Sequence, residues 1–164
     1  MLIPLRTDEP TRTPAIVTVT LIVLNAAAFA YQKVVLMTYG ADLASVYGVV
    51  PYELTHGVDL PPRSPHSVYC SLLTYMFMHG GLVHIIGNML FLNAFGPGIE
   101  DIMGHIKFLI FYLLCGIASV IVYIVPNFNL RIPLVGASGA IAGVMGAHLR
   151  ALPGTHVMCL LLIF

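Results

Sequence analysis

The chain has no tryptophan, and its 164 residues include only seven basic and seven acidic side chains. Charged residues make up 9% of it, against about a quarter in an ordinary soluble domain, so too little charge is present to clothe a water-facing surface. The formal net charge is zero and no basic run occurs, which excludes the phosphate-neutralising face of a nucleic-acid binder. Three cysteines, Cys70, Cys115 and Cys159, are odd in number and lack CxxC spacing. That excludes a disulfide framework, and cysteines in apolar runs pack as small hydrophobes.

Apolar residues fill the space that charge leaves. They make up 59% of the chain, and the mean hydropathy is +0.93. A helix needs about 20 mostly apolar residues to cross the hydrocarbon of a bilayer. By that rule the sequence predicts spans at Ala15–Met37, Leu82–Phe95, Phe108–Val125 and Ser138–Leu152, the second and fourth being short and marked by polar residues. Gly96-Pro97-Gly98 is expected to close the second span, and Pro126 with Asn127 and Asn129 the third. An apolar run resumes at Val157 and reaches Phe164. It reads as the start of a fifth helix, too short to span, so the chain reads as a fragment or a C-terminally truncated product.

No small-residue cleavage site follows the first apolar run, so that run reads as a retained membrane helix. Residues 1–13 are expected to be a cytoplasmic segment and residues 14–164 one membrane domain. With the N-terminus inside, Arg6, Arg12, Lys107 and Arg150 fall on the cytoplasmic side, while Lys33, Arg63 and Arg131 fall outside, the sense the positive-inside rule favours. Between Gly40 and Ser71 the prolines and charges break any spanning pattern. This stretch is expected to be a long ordered loop at the membrane surface, because irregular backbone is not tolerated against lipid. Tyr47, Tyr52 and Tyr69 are its candidate interfacial rings.

Several polar groups fall at membrane depth, where an unpartnered one costs a few kcal/mol (~2–7). His84 and Asn88 are four residues apart and therefore share one helical face about 6 Å along the axis, with His79 just before that turn. Both side chains can donate hydrogen bonds to a developing oxyanion without ionising. Ser138 lies in Gly136-Ala137-Ser138-Gly139 after the break at Arg131-Ile132-Pro133. That places it at a helix N-terminus, where free amides and the dipole favour negative charge. Packing is the plain alternative for each group: an interhelical bond for the histidines, and for Ser138 a small contact face continued by Gly139, Gly143 and Gly146. A metal or haem site is not indicated. The sequence has no HExxH, His79 and His84 are five apart, and their spans offer no acidic residue as a supporting ligand.

Taken together, Gly136-Ala137-Ser138-Gly139 and His79-x4-His84-x3-Asn88 resemble the GxSG and HxxxxHxxxN motifs of the rhomboid family of intramembrane serine proteases. Thr74-x2-Phe77-x-His79 and Glu100-x3-Gly104 extend the likeness, which runs from about Ala15 to the end. The resemblance implies an all-α polytopic fold: a rhomboid-like bundle with four transmembrane helices and the start of a fifth, drawn from a six-helix core. It implies Ser138 as nucleophile, His84 and Asn88 with the Ser138 amide as oxyanion hole, and His79 as a supporting residue. Gly136, Gly139, Gly143 and Gly146 would give close approach around the site.

The family's general-base histidine comes from a sixth helix, which this chain does not include. His148 cannot replace it, lying ten residues along the helix from Ser138, about 15 Å away. His156 lies past the helix's far end. The expected function is an intramembrane serine endopeptidase working by a Ser-His dyad, with this chain inactive alone. The alternative is an inactive rhomboid-like protein that binds transmembrane clients. Transmembrane substrates and the bilayer are the expected partners, no cofactor is implied, and a bacterial inner membrane is the expected location. Some members carry a Trp-Arg pair in the first loop, which the absence of tryptophan rules out here.

Overall fold

The computed structural model describes residues 2–161. Strand β1 (Leu2–Thr7) leads to helix α1 (Ile16–Tyr39). The long loop that follows carries two short helices, α2 (Leu43–Tyr47) and α3 (Pro51–His56). A third, α4 (Ser71–Thr74), is flanked by tight turns at Val68–Cys70 and Tyr75–Phe77. Then come α5 (Leu82–Met103), α6 (His105–Asn127), α7 (Ser138–Ala151) and strand β2 (Val157–Leu161).

Among the described residues, three helices are long and apolar enough to cross a membrane: α1 with 24 residues, α5 with 22 and α6 with 23. This is an integral, polytopic helical membrane protein. Valines and isoleucines such as Val19, Val23, Val83, Ile121 and Val122 lie exposed along these helices, a surface that lipid rather than water satisfies. The core lies where α5, α6 and α7 meet, with Leu92, Ile99, Phe108, Tyr112, Val120 and Val144 fully enclosed.

Two features depart from the sequence expectation. The second span does not close at Phe95; α5 runs through Pro97 to Met103. Proline removes one helical N–H, but the flanking glycines hold the helix between its neighbours. A Cβ on Gly96 would lie 2.8 Å from Thr18 of α1, and one on Gly98 would lie 3.0 Å from Leu152 beyond α7. The third span closes where expected: Pro126 lies in the last turn of α6, which ends at Asn127.

The second correction concerns the run from Val157. It does not open a fifth helix. Residues Val157–Leu161 form β2, antiparallel to β1, with Thr7 opposite Val157 and Pro4 opposite Cys159. A short apolar run has the same periodic signature in either conformation, and strand pairing satisfies its backbone groups. The remaining residues of the run, 162–164, lie outside those described. At the open end the His156 amide donates to Asp8 Oδ1 at 2.9 Å. This bond, together with the His156 ring, holds the Asp8 carboxyl below its usual range.

The N-terminus of α1 has no side-chain cap of its own. Its free first-turn amides are met by the end of α5: Val17 and Thr18 each donate to Glu100 at 2.8 Å, and the Thr18 hydroxyl donates at 2.7 Å. Glu100 is fully buried and also meets His105 Nδ1 at 2.6 Å, on the first residue of α6. One residue further on, Asp101 accepts from the Arg12 and Thr13 amides. A carboxylate at the N-terminus of α1 is favoured by that helix's free amides and its dipole. These bonds fix α1 to the α5–α6 corner.

Candidate active site

Ser138 is the first residue of α7, with Ala137 as N-cap. Two residues earlier, Gly136 takes φ +115°, a backbone region that only glycine enters without strain. The Gly136 amide donates to the Tyr75 carbonyl at 2.9 Å. Glycine is required there for a second reason: a Cβ would lie 2.6 Å from His84 Nε2 and 3.4 Å from Asn88 Nδ2. The backbone leading into Ser138 therefore lies directly on the face of α5 that carries His84 and Asn88. The structure brings together the two sequence motifs, 48 to 60 residues apart.

Asn88 Nδ2 stands 2.9 Å from His79 Nε2. An amide nitrogen only donates, so His79 Nε2 accepts and its proton sits on Nδ1. The amide's second N–H makes no hydrogen bond among the described residues. His79 is 1% exposed, and its ring meets His84 edge to face with centroids 5.1 Å apart. Gln32 of α1 fixes its backbone, accepting from the His79 amide at 3.0 Å and donating to its carbonyl at 3.4 Å. His79, His84 and Asn88 thus form one connected group beside the Gly136 backbone.

Ser138 itself is exposed. It borders a cavity of about 170 Å³ together with Tyr75, Ser119, Tyr123, Leu134 and Gly139. Within that wall the Tyr75 hydroxyl lies 2.7 Å from the Gly116 carbonyl and 2.9 Å from Ser119 Oγ. Sequence reasoning missed Gln32, Tyr75, Ser119 and Tyr123. Gln32 is visible in the sequence as a polar break in the first span, and Ser119 and Tyr123 as an i, i+4 pair on the third. Neither signal names a partner.

The small residues divide. Gly139 packs against Ser119 and Gly143 against Cys115, with no room for a Cβ at either, so both bring α7 close to α6. Gly146 does not do this: nothing lies within 4 Å of a Cβ built there. It lies on a part of α7 that no described residue covers.

Neither remaining histidine on this side of the chain reaches the serine. His148 is buried at the other end of α7 against Phe95, ring centroids 5.1 Å apart. His156 pairs with Asp8. Among the described residues no histidine hydrogen-bonds Ser138.

The Rhomboid domain family model matches residues 66–164, more than half of the chain, including His79, His84, Asn88 and Ser138 but not Gln32. The chain belongs to the rhomboid family. Rhomboid-like protein 6, mitochondrial, of Arabidopsis thaliana is 37% identical over 81 residues, 49% of this chain and 26% of that protein. Rhomboid protease GluP of Bacillus subtilis (strain 168) is 40% identical over 78 residues, 48% of this chain and 15% of that protein. Putative rhomboid protease YdcA of the same bacterium is 36% identical over 78 residues, 48% of this chain and 39% of that protein. The matched region spans about a quarter of the length of the first two Arabidopsis relatives. No solved structure matches the chain.

Proposed function

We propose that this rhomboid carries the nucleophile and oxyanion side of an intramembrane serine endopeptidase. The supporting observation is the seat of Gly136 on His84 and Asn88, which sets two hydrogen-bonding side chains beside the backbone that presents Ser138. In this reading Ser138 Oγ attacks the scissile carbonyl of a transmembrane substrate, and its proton passes to a histidine that the chain does not contain. The carbonyl oxygen becomes an oxyanion, held by His84, the free N–H of Asn88 and the Ser138 amide at the N-terminus of α7. Collapse of the tetrahedral species breaks the C–N bond, the amine leaves with a proton from that histidine, and water hydrolyses the Ser138 ester. His79 supports Asn88, and no metal or organic cofactor takes part. The bilayer is that of a bacterial inner membrane, with residues 1–13 in the cytoplasm.

The alternative reading is a rhomboid-like protein that binds transmembrane clients without cutting them. Expression of the complete coding sequence in proteoliposomes with a transmembrane substrate separates the two. Cleavage that disappears in Ser138→Ala supports proteolysis, and client binding without cleavage supports the alternative.

A further inference from the structure

The segment between α6 and α7, which delivers Ser138, has one local backbone bond, from the Leu130 amide to the Asn127 carbonyl at 2.8 Å. Three of its residues, Phe128, Leu130 and Leu134, bond in order to the first loop. The Thr55 hydroxyl lies 2.8 Å from the Phe128 carbonyl. The Tyr52 amide, left free at the start of α3, donates to the Leu130 carbonyl at 3.0 Å. Val49 and Leu134 exchange both of their backbone bonds, at 3.0 and 2.7 Å.

Side chains reinforce the same seam. The Arg131 guanidinium lies over the Tyr52 ring, 4.4 Å from its centroid, and that ring stacks on His56 at 4.1 Å. A Cβ on Gly48 would lie 2.9 Å from Pro133. Val49, Val50 and Pro51 are buried at the seam, while Arg131 is exposed. Two residues past the Val49–Leu134 pair the chain reaches Gly136, which must sit within contact of His84 and Asn88.

We propose that residues 48–55 of the first loop are the template that sets the height and direction at which the 128–136 segment meets α5, and that Tyr52 and Arg131 are positioning residues for Ser138. This rests on the proteolytic reading of the site. Stacking of a cation on an aromatic face joins the two loops at the surface. The ladder of backbone bonds carries that register inward to Gly136. Neither Tyr52 nor Arg131 touches the substrate's reacting atoms, so their effect belongs in turnover rather than in substrate capture.

The test uses the complete gene product in proteoliposomes with a transmembrane substrate. Tyr52→Ala and Arg131→Ala should each lower kcat about tenfold, a displacement of well under 1 Å at the reacting groups. KM should stay within about twofold, and the double variant should be no worse than either single one. Tyr52→Phe, which keeps the ring, and Arg131→Lys, which keeps the cation, should restore most of the turnover. Amide hydrogen exchange supplies a reading independent of catalysis: Leu134 and Gly136 should exchange faster in Tyr52→Ala, with the amides of α1 and α5 unchanged. Faster exchange with kcat unaltered overturns the positioning role, and unchanged exchange at Leu134 overturns the template. Failure of the proteolytic reading is recognised separately, by a parent protein whose Ser138→Ala variant is indistinguishable from it.

Discussion

Asn88 and His79 face each other across 2.9 Å, amide nitrogen to imidazole nitrogen, and this bond sets the direction of the Asn88 side chain beside the Gly136 backbone. Replacing Asn88 by Ala removes a donor and leaves His79 Nε2 buried without its partner, a cost of about 1–3 kcal/mol in stability. Turnover of the complete protein should fall about 10²- to 10³-fold, the range for loss of one oxyanion donor. His84→Ala should fall within the same range. His79→Ala should cost less, because it frees Asn88 without removing it. Equal losses for all three, measured as kcat on one substrate, would mean that the group acts only as a folding unit.

Gly136 and Gly146 should respond oppositely to the same change. Gly136→Ala forces a side chain into φ +115° and against His84, costing about 1–3 kcal/mol in backbone strain alone, and should abolish turnover. Gly146→Ala meets open space in the middle of α7. In the chain described here it should stabilise the helix by about 0.5–1 kcal/mol. Thermal unfolding in detergent together with a cleavage assay reads both.

Part of the site was legible before the structure. The spacing of His84 and Asn88 sets them on one helical face, and the break before Gly136 sets Ser138 at a helix start. Both follow from helical period and turn chemistry, which are local. What the sequence could not show is which surfaces meet. Gly139, Gly143 and Gly146 look equivalent as a stripe, yet only the first two face α6. Pro97 reads as a stop, but Thr18 and Leu152 close in on its flanking glycines and α5 continues. The run after Val157 is apolar in either conformation, and its pairing with Leu2–Thr7 depends on residues at the opposite end of the chain. Gln32, Tyr75 and Ser119 were passed over because each is an ordinary polar residue until its partner is known.

Glu100 provides a test of the fold apart from the chemistry. Its carboxylate accepts from two amides and a hydroxyl of α1 and meets His105 of α6. Glu100→Gln presents an NH2 where only donors point, and should destabilise the protein by about 3 kcal/mol. The loss should appear as a lower Tm in detergent, with α1 the first element to gain protease sensitivity. An unchanged Tm would show that the α1–α5 junction is held by apolar packing alone.

The central claim is that Ser138 is a nucleophile and not a packing serine. The most direct measurement is labelling of the complete gene product with a fluorophosphonate, followed by mapping of the modified peptide. Modification at Ser138 that vanishes in Ser138→Ala and weakens in Asn88→Ala is the predicted result. Undiminished labelling of the Ser138→Ala protein would contradict the account.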